Sequence, residues 1–306
     1  ARLNERWKSI IKPDESPDET RLAVTEILCR ERLVTEPENH RALKILVQLC
    51  NQRKDAGQAG EWQAQLTKVT QNEKQLPVSI SIIIPVLNNF KLTKQCLEAI
   101  QRFDGLTATE IIVIDNASTD GTSEFLQKAK LEGRLHFIRN EINQGFARAC
   151  NQGAAQARGG LLFFLNNGTV PLAGWIDAFA GAAKQPSVGI VGAKLIYANN
   201  TIQHAGIGWI NGVPDHPHRH AHPLAPEVNT PRDLDMVTGA CLMIQRDLFL
   251  QLAGFDETYR NGVEDVDLCL RVRAAGRKVV YEPNAVVYHL EGQSVGRFNN
   301  VSENLK

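Results

Sequence analysis

Two stretches of this chain concentrate side chains capable of chemistry. The first is Ile111-Ile112-Val113-Ile114-Asp115-Asn116-Ala117-Ser118-Thr119-Asp120-Gly121-Thr122. A β-branched run stops at a carboxylate, passes through turn-forming residues and enters helix-forming sequence. In an open α/β sheet, ligands sit beyond the carboxyl ends of the strands. An acid at that point, followed by exposed helix N–H groups, suits hydrogen bonding to a base edge or ribose and the approach of phosphates. The competing reading of Asp115 and Ser118 is a helix cap. The second stretch is Glu264-Asp265-Val266-Asp267, with Arg271 one helical turn onward. Its adjacent carboxylates are of the type used in general-base work. The alternative is a surface ion-pair helix, because Asp267 and Arg271 are spaced i, i+4. A further oddity is the run from Pro214 to Pro223, with histidines at 216, 218, 220 and 222, half of the eight in the chain. Alternating histidines can chelate zinc, nickel or copper. Flanking prolines favour an exposed, mobile loop, here placed as a lid over a second-substrate site.

Elements to hold these residues can be read from residue 79 onward. Strands are expected at 81–85, 110–115, 135–139, 161–166 and 190–195, and helices at 92–103, 121–129, 146–157 and 176–183. The alternation predicts a parallel sheet with helices on both faces. After about residue 200 the spacing becomes irregular, so an α+β portion is expected to carry the second substrate.

Residues 1–77 read differently, rich in Glu, Gln, Arg, Lys and Leu at helical spacing. Val24, Ile27 and Leu28 make one apolar stripe, and Leu43, Leu46, Val47 and Cys50 another. Pro37, Glu38 and Asn39 break the two helices apart. Residues 33–43 resemble the seam between tetratricopeptide units, but one such unit needs neighbours to bury its faces. The expectation is a helical hairpin or stub packed on the next domain, with a protein-binding platform as the alternative.

Lys plus Arg and Asp plus Glu both total 34, which argues against a general nucleic-acid or membrane-surface binder. The cysteines at 29, 50, 96, 150, 241 and 269 include no C-x-x-C pair and fit buried apolar positions in a reducing compartment. No apolar run reaches the roughly 18 residues of a membrane helix. The chain opens on alanine, as a trimmed piece of a longer protein does, so an anchor or further domain outside these residues stays open. The expected location is cytoplasmic, with the inner membrane face as an option.

Several motifs fall in a fixed order: Ile83-Ile84-Pro85-Val86-Leu87-Asn88-Asn89, the Asp115 run, Asn143-Gln144-Gly145-Phe146-Ala147 with Asn151, and Phe163-Phe164-Leu165-Asn166-Asn167-Gly168-Thr169. Val237 to Met243, Gly254-Phe255-Asp256-Glu257, Glu264 to Arg271 and Tyr288-His289 follow. The span of about 79–296 resembles the family-2 nucleotide-sugar glycosyltransferases, particularly their bacterial rhamnosyltransferase-like branch. The resemblance implies a GT-A fold, a Rossmann-like mixed, mainly parallel sheet with helices on both faces. Residues 1–77 would precede it, 78–199 form its nucleotide half and 200–306 its acceptor half.

The resemblance also implies roles. Pro85, Val86, Asn88, Ser118 and Asn151 would line the nucleotide pocket, and Asp115 would accept from a uracil or thymine N–H. Gly145 would admit the nucleotide close to the backbone. Asp265 would be the general base, with Glu264 positioning the acceptor or tuning that base. Asn166, Asn167 and the Thr238-Gly239-Ala240 turn would face donor and acceptor. His204 would shape the pocket. Trp209 and Trp175 are candidate sugar platforms, with buried packing as the favoured alternative. The reaction would be inverting transfer from a UDP- or dTDP-sugar to a glycan or lipid-linked glycan, as in O-antigen or capsule synthesis. Such a transfer passes through an oxocarbenium-like state and needs a base and stabilisation of the leaving diphosphate.

One departure stands out. The family usually places an acid where this chain has Gly168, and that acid helps hold Mg2+ or Mn2+. Asn166 and His289 are the remaining candidate ligands. Three readings stay open: weak metal binding, metal-independent transfer, or a catalytically silent nucleotide- or glycan-binding module of a larger synthase.

Overall fold

The structure is a computed structural model that describes residues 22, 25–27, 29–30, 33–34, 40–72, 79–103, 109–259 and 262–290. Strands β1 (Ile80–Val86) and β2 (Thr109–Asp115) are buried along their whole length. Such continuous Ile/Val runs belong to strands covered on both faces. Each is followed by a helix, α3 (Phe90–Phe103) after β1 and α4 (Thr122–Leu131) after β2. Then come β3 (His136–Arg139), α5 (Phe146–Gln156), β4 (Leu161–Leu165), the short β5 (Thr169–Pro171), α6 (Trp175–Ala183) and β6 (Val188–Ile196). The predicted elements recur with ends shifted by a few residues, as expected of helix and strand boundaries.

The remaining strands are β7 (Ile202–His204), β8 (Gly208–Ile210), β9 (Val213–Asp215), β10 (Arg232–Leu234), β11 (Cys241–Gln245) and β12 (Lys278–His289). Two helices, α7 (Arg246–Gln251) and α8 (Glu264–Ala274), lie between β11 and β12. The main sheet runs β10-β12-β6-β11-β4-β1-β2-β3, with β5 on β12 and β7 on β6; β8 and β9 form a separate hairpin. Strands β1 to β4 are parallel, as is the β6–β12 pair. The sequence reading placed 190–195 directly in a parallel series. Instead β11 enters between β4 and β6, antiparallel to both. Its five residues are too short to signal their pairing partner from sequence.

Two apolar layers sandwich the sheet. One gathers Cys96, Ile100, Trp175 and Phe179, and the other Cys150, Ala154, Phe249 and Val272. The six cysteines are free and buried. At the amino end of the sheet, Glu110 is clamped in place. It accepts hydrogen bonds from Ser81 Oγ (2.7 Å) and from Arg158 N and Nε (2.6 and 2.8 Å). Burial raises its pKa, but those bonds outweigh burial and hold it below the usual glutamate value.

Before the sheet come α1 (His40–Gln52) and α2 (Ala56–Asn72), and α1 carries the second predicted stripe: Leu43, Leu46, Val47 and Cys50 are all buried. Leu43 and Val47 cluster with Leu66, while Ala42, Ile45, Leu46 and Leu49 share a cluster with Ala173 of the main fold. The stripe residues Val24 and Leu28 and the break at Pro37 lie outside the described residues, so the tetratricopeptide seam is not established.

Candidate functional site

The carboxyl ends of β1, β2 and β3 end in turns that hold one another. Val86 O accepts from Asn116 N at 2.7 Å, and Pro85 is buried beside it in the register opposite Ile114. Asn88, at φ 57°, donates its N–H to Ser118 Oγ (2.7 Å), and its Oδ1 accepts from Thr119 N (2.8 Å). Asp115 is fully buried. Its Oδ1 accepts from Ser118 N (2.9 Å), and its Oδ2 from Arg139 Nη1 (2.9 Å) and Ser123 Oγ. Neither Asp115 nor Ser118 caps α4. Gly121 is its N-cap, and Asp120 Oδ1 accepts from Thr122 N and Oγ1. Asp115 therefore locks the strand-end turn.

Asn116 continues this lattice, donating to Gly145 O (3.1 Å) and accepting from Asn140, which also bonds Gln152. Gly145 caps α5 with φ 83° and ψ 171°, a conformation open essentially to glycine alone. Arg139, Asn140 and Gln152 were missed from sequence. The rule that sites lie at strand carboxyl ends, applied to β3 as it was to β2, points to the first two.

A second group converges on the Thr238–Ala240 turn. Asp265 Oδ2 accepts from Gly239 N at 2.7 Å, and its Oδ1 accepts from Val266 N at 2.8 Å. A Cβ on Gly239 would sit 3.2 Å from Asp265 Cβ and 3.6 Å from Phe146 Cε1, so glycine lets the loop approach both. Ala240 O accepts from Asn166 N (2.9 Å), joining this turn to the end of β4, and Thr238 Oγ1 accepts from Ala240 N. Thus Asp265, Gly239, Phe146 and Asn166 come together from four segments. Val263, immediately before the acidic pair, has φ 76°, a strained backbone for a β-branched residue and of a kind held at functional sites. Glu264 is buried, and its charge adds to burial in pushing the Cys150 thiol well above its usual value. Asp267 and Arg271 pair across one turn at 2.8 Å, while Arg271 Nη1 donates to Leu252 O. That pair orients α8.

Asn151, expected to line the nucleotide pocket, is engaged within the fold. Its Nδ2 donates to Phe255 O and Glu257 Oε1, and its Oδ1 accepts from Phe255 N. The amide anchors the 254–257 loop. Asn167 Nδ2 donates to Thr93 Oγ1 at 3.0 Å.

The histidine run is not a chelate. His204 is fully buried and lies 3.0 Å from His216, Nδ1 to Nδ1, while Gly206 N donates to its Nε2. Burial, then the nearby His216, Arg232 and His289, hold its pKa well below the ordinary histidine value. His218 faces Arg232 at 3.0 Å, His220 stacks on Tyr197, and His222 accepts from Leu224 N. Reciprocal bonds between Ile202 and residues 220–221 dock the loop on β7, while residues 217, 219, 220 and 222 are exposed. Among the described residues, no three His, Cys, Asp or Glu side chains are grouped to hold a metal ion. His289 meets Gln203 Oε1 through Nδ1 at 2.7 Å, with its Cδ2 on the side of Gly168. With Asn166 and His289 as the only sequence-proposed ligands, the donor set lacks a carboxylate and does not fit a hard divalent cation.

The two tryptophans part ways. Trp175 is buried edge-on against Phe163 and Phe179. Trp209 is 54% exposed on the β8–β9 hairpin, contrary to the packing reading. The hairpin stem leaves Ile207, whose N–H donates to Met236 O just before the Thr238 turn.

Comparison with known proteins agrees with this architecture. The chain is 33% identical over 229 residues to an uncharacterized protein of Sinorhizobium fredii, covering 71% of this chain and 25% of that protein. It is 31% identical over 224 residues to the O-antigen biosynthesis protein RfbC of Myxococcus xanthus, covering 70% and 17%. The chain therefore spans a quarter or less of these relatives. Among solved structures, GalNAc-T7 with UDP, GalNAc and Mn2+ superposes with a TM-score of 0.59 at 19% identity, covering 72% of this chain and 45% of that one. That likeness establishes a GT-A-like fold. Residues 81–252, more than half of the chain, match Glycosyl transferase family 2, and the chain belongs to that family.

Proposed function

We propose that this chain transfers a sugar, with inversion, from a UDP- or dTDP-linked donor to a hydroxyl of a glycan or lipid-linked glycan in bacterial surface polysaccharide synthesis. In this reading the chain belongs to the rhamnosyltransferase-like branch of its family. Family membership and the O-antigen relative support the reaction and its setting. The observation that carries the mechanism is Asp265, held by Gly239 N beside the end of β4. A carboxylate fixed there takes the acceptor hydroxyl proton while the acceptor oxygen bonds to the anomeric carbon. The bond from that carbon to the diphosphate oxygen breaks, and the nucleoside diphosphate leaves with the electron pair.

In this reading Pro85, Val86, Asn88, Asp115, Ser118 and Gly145 form the nucleotide side. Asn166, Asn167 and Thr238–Ala240 face the donor sugar, and Glu264 steadies the acceptor. His204 shapes the pocket, and Trp209 offers an aromatic face to an acceptor ring. Residues 78–199 act as the nucleotide half, 200–306 as the acceptor half, and 1–77 as a helical appendage available to a protein partner. The site works on the cytoplasmic side, and no helix among the described residues is long and apolar enough to cross a membrane. A screen of UDP-, dTDP- and GDP-sugars for nucleoside diphosphate release tests the proposal. Release that is abolished by Asp265→Asn is expected. Binding without release from any donor would instead favour a silent binding module, the reading that the missing carboxylate at Gly168 supports.

A further inference from the structure

The segment closing β4, Asn166-Asn167-Gly168-Thr169, contains no anionic oxygen donor. Several of its polar atoms are drawn into the fold. Asn166 O accepts from Thr169 N and Oγ1, Asn167 Nδ2 is bonded to Thr93, and Gly168 O accepts from Leu290 N at 2.8 Å. Mg2+ and Mn2+ sites of this kind rely on at least one carboxylate besides the phosphates. The backbone is not what forbids an acid here. A Cβ at 168 would lie 3.6 Å from Leu290 O, 3.8 Å from His289 Cδ2 and 3.9 Å from Leu92 Cδ1, all ordinary contacts. Gly168 is also absent from the positive-φ residues, so an L side chain is not strained there. Position 168, beside His289, therefore has room for an acid, and the segment carries no charge there.

From this we infer that the chain binds its nucleoside diphosphate without a divalent cation, and that one carboxylate at position 168 would make binding cation-dependent. The inference rests on the nucleotide-sugar reading above. Stabilising the leaving group then falls to hydrogen-bond donors and cations of the chain itself. A divalent cation would otherwise share that charge.

The test is calorimetric titration of UDP, dTDP and GDP, each with Mn2+ or with EDTA, into the wild-type chain, Gly168→Asp and Gly168→Ala. Gly168→Ala adds the Cβ without the charge and controls for folding. Wild type and Gly168→Ala are expected to bind the preferred nucleotide with Kd values within about threefold in Mn2+ and EDTA. Gly168→Asp is expected to bind at least about tenfold more tightly in Mn2+ than in EDTA, a gain of about 1.4 kcal/mol. Wild-type binding that strengthens tenfold or more with Mn2+ would overturn the inference while leaving the nucleotide-sugar reading standing. A folded Gly168→Asp that gains no Mn2+ dependence would overturn the claim that an acid at 168 makes binding cation-dependent. Absence of nucleotide binding under every condition would overturn both.

Discussion

The two sides of the proposed site are built by different means. On the β1–β4 side, regular parallel strands deliver their turns to one edge, and neighbouring turns fasten to each other. Asn88 reaches Ser118 and Thr119, and Asn116 reaches Asn140 and Gly145. On the 202–289 side, β11 and β12 join the main sheet, but the segments between them and β6 are short strands and loops tied down with the help of long-range side-chain bonds. Tyr281 Oη donates to Val228 O, Lys194 Nζ to Asn229 Oδ1, and Asp265 accepts from Gly239 N. A lattice of adjacent turns suits a fixed ligand such as a nucleotide. A patchwork of loops permits variation in what is accepted without rebuilding the sheet.

The largest effect expected from this contrast is at Asp265. Asp265→Asn should lower transfer by about 10²–10⁴-fold, the usual contribution of a general base, while nucleotide affinity by calorimetry stays within about twofold. Parallel loss of affinity would mean that the two sides are not separable. Asp115→Ala should do the reverse. It frees the partners of a buried carboxylate, so nucleotide affinity should fall at least about tenfold, with a stability loss of about 1–3 kcal/mol in urea titration. Unchanged affinity would end the nucleotide role of that turn.

A smaller effect is expected at Trp209. Because the ring is exposed, Trp209→Ala should leave the melting temperature nearly unchanged and raise the acceptor KM by about 2–10-fold, in line with an aromatic contact of about 0.5–1.5 kcal/mol. Trp209→Tyr should restore most of it. A fall in kcat with KM unchanged would remove Trp209 from acceptor binding.

The smallest effect concerns Lys194. Burial lowers its pKa from 10.5 to about 8, partly opposed by Glu282. Below pH 8 both folded and unfolded chains carry this proton. Above it the folded chain loses the proton first, so the unfolded chain binds more and stability rises with pH. The rise should show between pH 8 and 9, before buried thiols pushed up from 9.0 to about 12, as at Cys96, begin to favour the protonated folded chain and reverse the trend. Lys194→Met should flatten that rise in urea midpoints; an unaltered rise would assign it elsewhere.

The same contrast explains what the sequence reveals. Strands such as Ile111–Asp115 declare themselves because burial on both faces demands an unbroken β-branched run. The helix after Gly145 declares itself by its apolar spacing. Asp265 was legible as part of an ordered motif, but its partner Gly239 N was not, because no periodicity links residues 26 positions apart. Side chains with several possible partners were the least legible. Asn151, expected to meet the nucleotide, bonds the 254–257 loop, and the alternating histidines, for which chelation was the lesser alternative, take four separate partners. The insertion of β11 was hidden for a related reason: five apolar residues fit a strand without naming its neighbours.

The most direct measurement is hydrogen–deuterium exchange of the chain with and without its preferred nucleoside diphosphate. Protection is expected at the strand-end turns 86–90, 115–122 and 143–147, with the 208–215 hairpin unchanged. Protection confined to 208–222, with those turns exchanging as in the free chain, would contradict the assignment of the two sides.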